Sequence, residues 1–344
     1  MGIAAVAQIK IYSHPTKVQC NVQCLLYSPE GQTIHSEYME PIPQSGQRFL
    51  LSGASGLLGA AIRSELLNSG AETLQLVRRV ARGPRELEWR PESEHPLGDG
   101  ADLERLAAAI HLSGANVAAR RWTPAYRRQM WTSRVESTRA LSRTLRLLKH
   151  PPRVLLVASA TGFYGDRGNE ILQEDSPPGT GFLADLCRAW EDAAAPAVHA
   201  GIRVVHMRFG VVLTREGGAL GKMLPAFRMG LGGRMGTGRQ WMSWLALNDA
   251  VAAMTFLLER GDIEGPVNLC APHPATNRDF TRALAKHLHR PAMLAVPAFA
   301  LRTALGAMAD EALLASARVM PNRLLNAGFR FECPTIEEAV AAVL

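Results

Sequence analysis

Apolar and polar residues follow two different patterns along this chain, and the change between them predicts a boundary. In VQCNVQCLL (18–26) every second residue is apolar, a period typical of a strand with one buried face. SPEGQ predicts a turn after this strand, and TIHSEYM predicts a second strand. Residues 1–47 are therefore predicted to form an N-terminal extension that contains a β-hairpin and a linker.

From Arg48 onward, short apolar segments alternate with segments of helical periodicity. The predicted strands include RFLLS, TLQLV, AAIHLSG and PPRVLLVASA, and helical patterns such as GLLGAAIRSELLNSG lie between them. Strands that alternate with helices form a parallel sheet that is covered on both faces. We therefore predict an α/β fold, with a Rossmann-like doubly wound parallel sheet over 48–296 and a small, mostly helical C-terminal region at 297–344.

Three regularly spaced glycines follow the first strand of the alternating region. In LLSGASGLLGAAI they are Gly53, Gly56 and Gly59, and a predicted helix begins among them. In such a loop the first glycine permits a tight turn, the second lets the backbone approach a pyrophosphate, and the third allows close helix packing. The context predicts a dinucleotide site, and the alternative is a tight turn that binds no ligand.

Two arginines, Arg78 and Arg79, end the next predicted strand. They lie about 20 residues beyond the glycine loop, where NAD-binding proteins place an acidic residue for the ribose 2′-hydroxyl. A guanidinium at that position suits a 2′-phosphate instead. We therefore predict NADP(H) as the cofactor, and the alternative is a pair of solvated arginines.

The charge of the chain is consistent with a phosphate-bearing small molecule. The net charge of +7 comes mainly from arginine, because only five lysines occur. Many arginines lie between Arg120 and Arg146, in a predicted long helix that no nucleic-acid recognition motif accompanies. We therefore expect a small-molecule substrate and a cofactor as partners, and no nucleic acid.

Other bulk features exclude several classes of protein. No apolar run reaches the roughly 18 residues that can span a bilayer. MGIAAVAQIK lacks the basic lead and the cleavage site of a signal peptide. The five cysteines are scattered without the spacing of a disulfide scaffold or a zinc site. We expect a cytoplasmic protein with no membrane partner and no metal.

Long motifs in the second half of the chain narrow the fold class to a family. They include SATGFYGD (159–166), FLADLCRAWEDAA (182–194) and GTGRQWMSWLALNDAV (236–251). With them, residues 48–344 resemble an atypical, epimerase-like family of extended short-chain dehydrogenase/reductases, within the NAD-dependent epimerase/dehydratase superfamily. Bacterial members have carried a cell-division-inhibitor label. Members end in a small helical domain of unassigned function, which the last 48 residues resemble.

The resemblance implies bound NADP(H) and places its contacts by motif. The implied residues are Gly53, Ser55, Gly56, Leu58, Gly59, Arg78, Leu112, Ser113, Gln129, Arg134 and Val212, and Arg79 joins them by its position. The chain departs from the family at residues 113–115. Relatives commonly read Ala-Gly-Glu there, and this chain reads Ser-Gly-Ala, so a carboxylate is missing near the implied nicotinamide end.

The usual catalytic pair of the superfamily is also missing. That pair is a tyrosine that transfers a proton and a lysine, four residues later, that lowers its pKa. The chain contains no Y-x-x-x-K, and the matching helix has Phe182 in the tyrosine slot and Leu186 in the lysine slot. The remaining catalytic candidates are Ser159, Thr161 and Tyr164. The alternatives are a strand-end hydroxyl bonded to backbone for Ser159 and a tyrosine packed at the sheet edge for Tyr164.

Two functions remain open from the sequence. The first is an atypical NADP(H)-binding oxidoreductase or epimerase-like enzyme that acts on an unknown small polar substrate. The second is a non-catalytic NADP(H)-binding sensor or regulatory protein, with which the missing pair is consistent. Trp241 and Trp244 either stack on a substrate ring or anchor the core. The sequence determines neither the substrate nor the oligomeric state.

Overall fold

A computed structural model describes residues 46–97 and 102–344 in full, and residues 5–14 and 17–26 by their backbone. The chain divides into two compact units, Met1–Pro41 and Ile42–Leu344.

The first unit contains an antiparallel pair of strands, β1 (Ala5–His14) and β2 (Lys17–Leu26). The strand predicted at 18–26 lies within β2, and its described partner precedes it in the chain, with Ile9 opposite Val22. AVAQIKIYSH alternates as β2 does, and the short separation of the two segments favours their pairing. The turn and second strand predicted at 28–39 lie outside the described residues.

The strands and helices of the second unit alternate over most of its length. Its described strands are β3 (Arg48–Ser52), β4 (Glu72–Val77), β5 (Glu86–Glu88), β6 (Ala108–His111), β7 (Val154–Ala160), β8 (Ile171–Leu172), β9 (Arg203–Phe209), β10 (Val211–Leu213), β11 (Gly233–Met235), β12 (Trp241–Met242), β13 (Trp244–Ala246), β14 (Gly265–Leu269), β15 (Ala275–Thr276), β16 (Leu294–Val296) and β17 (Arg318–Val319). Its described helices are α1 (Leu57–Asn68), α2 (Pro124–Trp131), α3 (Ser137–Arg146), α4 (Phe182–Asp192), α5 (Ala195–Val198), α6 (Gly218–Arg228), α7 (Leu247–Glu259), α8 (Asn277–Leu288), α9 (Ala298–Leu305), α10 (Asn322–Asn326) and α11 (Ile336–Val343).

Within the described part of the chain, seven strands form one parallel sheet in the order β5-β4-β3-β6-β7-β9-β14. The chain progresses outward from β3 in one direction and from β6 in the other. The carboxyl ends of these two neighbouring strands therefore flank the switch point, where open α/β sheets bind their ligands. The predicted Rossmann-like doubly wound sheet is confirmed.

Burial explains the sequence of the central strands. Every residue of β6 is buried, and Val154, Leu155, Leu156 and Val157 of β7 are fully inaccessible to solvent. A parallel strand with helices on both faces needs apolar side chains in both directions, so its sequence is continuously apolar rather than alternating.

A long helix was predicted over 123–150, and the structure divides it. Thr123 caps α2, since its Oγ1 accepts a hydrogen bond from the Tyr126 amide at 3.2 Å. A π-helical turn, Thr132–Glu136, then separates α2 from α3. Such turns insert one extra residue and are frequent at functional sites.

The C-terminal region is mostly helical, as predicted. Met308, Leu324 and Phe329 join the core beneath the main sheet, and Ile336 and Val340 pack in a second core. The boundaries at 47/48 and 296/297 stay predictions. No helix in the described ranges has the length and apolar character that crossing a bilayer requires.

Candidate functional site

The glycine loop lies between β3 and α1, at the switch point of the sheet. Gly53 has φ +72°, and a Cβ there would lie 2.7 Å from the Leu112 carbonyl oxygen at the end of β6. The turn and the neighbouring strand end therefore both require glycine at this position.

The other two glycines differ in how tightly they are enclosed. A Cβ on Gly59 would lie 2.1 Å from the Gly53 carbonyl oxygen, so Gly59 lets α1 pack directly on the loop. A Cβ on Gly56 would lie 3.2 Å from the same oxygen, and Gly56 is exposed. The sterics of the folded chain thus demand Gly53 and Gly59, whereas Gly56 leaves room for a ligand to approach the backbone.

The first turn of α1 is open to an anion. It has no acidic residue and no side-chain cap, so its free N–H groups carry the positive end of the helix dipole. A cavity of about 490 Å³ lies against it. Its lining residues are Ser55, Gly56, Leu57, Ala60, Ala61, Glu216, Gly217 and Leu247. Leu58 is half-buried and packs on the main core rather than in this lining.

The two arginines after β4 have different surroundings. Arg79 donates two hydrogen bonds to Glu86, Nη1 to Oε2 at 2.7 Å and Nη2 to Oε1 at 2.6 Å. The Arg79 hydrogen bond lowers the pKa of the Glu86 carboxyl to about 2. Arg78 is exposed, and no described residue forms a hydrogen bond or ion pair with it. Arg78 is therefore the guanidinium that is available to a 2′-phosphate.

The end of β6 is held by a buried histidine that the sequence analysis did not single out. The Nδ1 of His111 lies 2.6 Å from Ser52 Oγ, and its Nε2 lies 3.1 Å from Ser137 Oγ. Because Ser137 donates its single proton to the Ser133 carbonyl at 2.7 Å, His111 donates through Nε2 and accepts from Ser52. Burial lowers the pKa of His111 to about 4, so the ring is neutral and ties α3 to the switch point.

Arg134 lies in the π-helical turn, against the loop that follows β6. A Cβ on Gly114 would lie 3.0 Å from its Cζ, and that Cζ lies 5.0 Å from the centroid of the Trp190 ring. Burial lowers the pKa of Arg134 below its usual value, and no described carboxylate pairs with it. The predicted Ser113 lies half-buried in the same loop.

The remaining predicted cofactor residues lie on three further elements around this edge of the sheet. Leu112 directly follows β6 and its amide donates to the Ser52 carbonyl at 3.2 Å. Gln129 is exposed on α2, and Val212 is half-buried on β10, opposite Leu245 of β13. Most of the predicted cofactor residues thus follow the carboxyl ends of β3, β4, β6 and β9. The others, Gln129 and Arg134, lie on α2 and the π-helical turn after it.

Ser159 is tied into a buried network. It is 3% exposed and its Oγ donates to Glu191 Oε1 at 2.7 Å. The same carboxylate accepts two hydrogen bonds from Arg208, each at 2.8 Å. The hydroxyl therefore serves a buried ion pair between α4 and β9, and its partner is a side chain rather than the backbone.

Tyr164 belongs to the same network and has no exposed surface. Its hydroxyl donates to Asn268 Oδ1 at 2.7 Å and accepts from Arg208 Nη1 at 2.9 Å. Burial raises the pKa of Tyr164 to about 12, despite the nearby Arg208. This environment favours a structural tyrosine over a group that exchanges protons near neutral pH.

Thr161 is the remaining predicted hydroxyl. It begins a 3₁₀ turn, Thr161–Tyr164, directly after β7. It is half-buried, and no described residue hydrogen-bonds to its side chain. Of the three predicted catalytic hydroxyls, Thr161 alone is both accessible and unbonded within the described chain.

The structure adds a carboxylate, Glu311, that the sequence did not indicate. Glu311 lies in a π-helical segment of the C-terminal region, Ala309–Leu314, and its Oε2 accepts a hydrogen bond from the Leu183 amide at 2.8 Å. It therefore caps α4, beside Phe182. No local pattern could have joined residues 128 positions apart.

The two tryptophans have separate roles. Trp244 is 1% exposed and anchors the second core. Trp241 is half-buried, donates to Asn169 Oδ1 at 2.7 Å, and has the Arg318 Cζ 4.5 Å from its ring centroid. The core interpretation therefore holds for Trp244.

Comparison with known families agrees with this architecture. Residues 49–270 match the NAD dependent epimerase/dehydratase family, and residues 296–343 match DUF1731, a domain of unknown function. The resemblance inferred from the sequence motifs is confirmed over both segments.

Individual relatives extend over most of the chain. Epimerase family protein Mb2239 of Mycobacterium bovis is 42% identical over 290 residues, which are 84% of this chain and 95% of that protein. The human epimerase family protein SDR39U1 (isoform 2), solved with NADPH, superposes with a TM-score of 0.80 at 30% identity, over 86% of this chain and 99% of that one. A nucleoside-diphosphate sugar epimerase of Corynebacterium glutamicum gives a TM-score of 0.71 at 28% identity, over 98% of this chain and 70% of that one.

Proposed function

Because the chain belongs to the NAD-dependent epimerase/dehydratase family, we propose that it is an atypical NADP(H)-binding oxidoreductase or epimerase-like enzyme. Its substrate is a small polar molecule. The observation that carries the cofactor assignment is the free guanidinium of Arg78, one strand away from a glycine loop at the switch point.

The residues around the switch point fit a dinucleotide phosphate. Gly53 and Gly59 allow the tight turn and the close packing of α1 on the loop, and Gly56 leaves its backbone open to a ligand. The uncapped first turn of α1 supplies N–H donors to a pyrophosphate. Arg78 supplies a charge-assisted contact to a 2′-phosphate, whereas Arg79 is already engaged by Glu86. The human relative was solved with NADPH, which supports the same choice here.

The nicotinamide end of the cofactor lies, in this proposal, beside the ends of β6 and β7. NADP(H) supplies or accepts the hydride when it is bound. Thr161 holds a substrate oxygen by hydrogen bonding, since its hydroxyl is accessible and unbonded among the described residues. Ser159 and Tyr164 keep Arg208 and Glu191 in place beneath the site.

A test combines cofactor retention with turnover. Purified protein is incubated with NADPH, separated from free cofactor, and then screened against a wide panel of small carbonyl compounds by the loss of absorbance at the nicotinamide band. Tight retention with turnover of at least one compound is the expected result. Failure to bind NADPH would overturn the proposal.

A second candidate is a non-catalytic NADP(H) sensor. The buried network favours it, because Ser159 and Tyr164 are engaged by Glu191, Arg208 and Asn268 rather than free for catalysis. Tight NADPH retention without turnover across the panel would select the sensor over the enzyme.

A further inference from the structure

Some arginines of the chain have carboxylate partners that Arg121 and Arg127, at the start of α2, lack. Arg167 pairs with Glu170 at 2.6 Å and Arg188 pairs with Asp185 at 2.9 Å, each three residues away. For Arg121 and Arg127, no described carboxylate oxygen lies within 4.0 Å of the guanidinium. Neither guanidinium therefore has an ion-pair partner among the described residues.

Arg127 is held in place by aromatic rings. Its Cζ lies 5.0 Å from the centroid of the Phe182 ring and 6.0 Å from that of Trp122, and the two rings meet edge to face at 5.6 Å. Stacking of this kind fixes the plane of a guanidinium and leaves its N–H groups for an acceptor in that plane.

The hydrogen-bonding capacity of Arg127 is unused. Its Nε is buried and has no hydrogen-bond partner. No described residue bonds to its Nη groups. A buried N–H without an acceptor destabilises the folded chain. Nε is out of reach of solvent but the two Nη groups are not, and an oxyanion can accept a hydrogen bond from each of them in the paired geometry that arginine forms with carboxylates and phosphates.

The position of Arg127 relates it to the proposed cofactor site. Arg134 stacks on Trp190 and Arg127 stacks on Phe182, and both rings belong to α4. Eight residues of α-helix span about 12 Å, so the two guanidiniums are separated along α4 by a distance of that order. Arg134 borders the loop after β6, which places Arg127 farther toward the start of α4.

The C-terminal region closes this end of the helix. A Cβ on Gly306 would lie 3.5 Å from Arg121 Nη2. Glu311 is a carboxylate at the start of α4. It is engaged by the Leu183 amide and lies more than 4.0 Å from either guanidinium. It forms no ion pair with either arginine.

We propose that Arg127, together with Arg121 just before α2, binds an oxyanion of the substrate at the start of α4. This inference rests on the proposed function, and it narrows the substrate to a molecule that carries a carboxylate or a phosphate. The cofactor phosphates are assigned to Arg78 and the α1 terminus, so this is a separate subsite.

The test uses calorimetric titration of the full chain saturated with NADPH, so that the cofactor's own phosphate sites are occupied. The probes are malonate, inorganic phosphate and malonamide, which is the uncharged match of malonate. Saturable binding of malonate or phosphate is expected, with none for malonamide. Binding of malonate alone indicates a carboxylate substrate, and binding of phosphate alone indicates a phosphorylated one.

Arginine variants decide whether Arg127 and Arg121 are responsible for the measured anion binding. Arg127→Gln is expected to weaken anion binding at least tenfold, and Arg127→Lys is expected to be intermediate because it keeps the charge but loses the paired geometry. Arg128→Gln changes an exposed neighbouring position, and its anion affinity is expected to stay within twofold of that of the wild type. The NADPH affinity and the circular dichroism spectrum of each variant check that it is folded.

Two results would overturn the subsite: no saturable anion binding to the wild type, or equal anion affinity in the wild type and Arg127→Gln. If Arg127→Gln does not fold, wild-type anion affinity in both Arg127→Lys and Arg121→Gln would overturn it as well. Absence of NADPH binding overturns the proposed function instead, and the anion titration is then repeated without cofactor.

Discussion

Two adjacent arginines with the same sequence environment differ in what they can bind. Arg79 is held by both oxygens of Glu86, so a phosphate would have to displace an existing ion pair. Arg78 has no such competitor among the described residues. The specificity for NADP(H) over NAD(H) is therefore expected to depend on Arg78, although the sequence alone could not separate the two.

His111 makes the fold sensitive to acid. Its folded pKa is about 4, below the usual value near 6.5. The unfolded chain therefore binds the proton more readily, and stability is lost as the pH falls from about 6.5 to about 4. The loss attributable to this one group reaches about 3 kcal/mol at most. Urea denaturation measured at several pH values tests this.

His111→Gln is expected to be less stable than the wild type at pH 7.5 but to lose stability less steeply on acidification. His199→Gln serves as the control, because His199 is exposed and its side chain has no partner among the described residues. An unchanged slope in His111→Gln would show that other groups cause the acid sensitivity.

The three hydroxyls predicted as catalytic candidates illustrate what a sequence can and cannot predict at this scale. The segment containing Ser159, Thr161 and Tyr164 could be placed at the end of a buried strand from its apolar pattern alone. The direction of each side chain could not be predicted, because the partners Glu191 and Arg208 lie on α4 and β9, which are distant from the segment in the sequence. Accessibility separates Thr161 from the other two.

At the scale of elements, the glycine loop gives a prediction that distinguishes folding from binding. Gly59→Ala places a Cβ 2.1 Å from a backbone oxygen, so α1 must shift and the free energy of unfolding is expected to fall by about 1–3 kcal/mol. Gly56→Ala meets that oxygen at 3.2 Å and is expected to change stability much less.

Both variants are expected to weaken NADPH binding at least tenfold. Gly56→Ala obstructs the approach of the pyrophosphate to the backbone, and Gly59→Ala shifts α1 away from the loop. Thermal unfolding without cofactor and calorimetric titration with NADPH measure the two effects separately. If Gly56→Ala binds NADPH as the wild type does, the loop does not hold the pyrophosphate in the way proposed.

Most elements of the second unit follow from local patterns. RFLLS corresponds to β3 residue for residue, because a short, largely apolar segment that ends at a glycine turn favours a buried strand over a helix. The π-helical turn at Thr132–Glu136 could not be predicted, because an extra residue in a helix leaves no signal in apolar periodicity. The pairing of β2 with β1 could not be predicted either, because strand-like segments lie on both sides of β2 and local sequence does not choose between them.

At the scale of the whole molecule, the C-terminal region contacts the start of α4. Glu311 caps α4 from 128 residues away. Glu311→Ala is expected to lower the free energy of unfolding by about 1 kcal/mol, the usual contribution of a helix cap. Glu311→Gln keeps an acceptor for the Leu183 amide and is expected to lose only the charge–dipole part, about 0.5 kcal/mol. Urea denaturation of both variants measures the difference.

The central claim is that this protein binds NADP(H) at the switch point through Arg78, and calorimetric titration of the wild type and two variants with NADPH and NADH tests it most directly. Charge-assisted hydrogen bonds contribute about 1.5–3 kcal/mol, so the wild type is expected to prefer NADPH by about tenfold to a hundredfold. Arg78→Ala is expected to lose most of that preference, and Arg79→Ala to keep it. Equal affinity of the wild type for the two cofactors, or an equal loss for both in Arg78→Ala, would contradict the account.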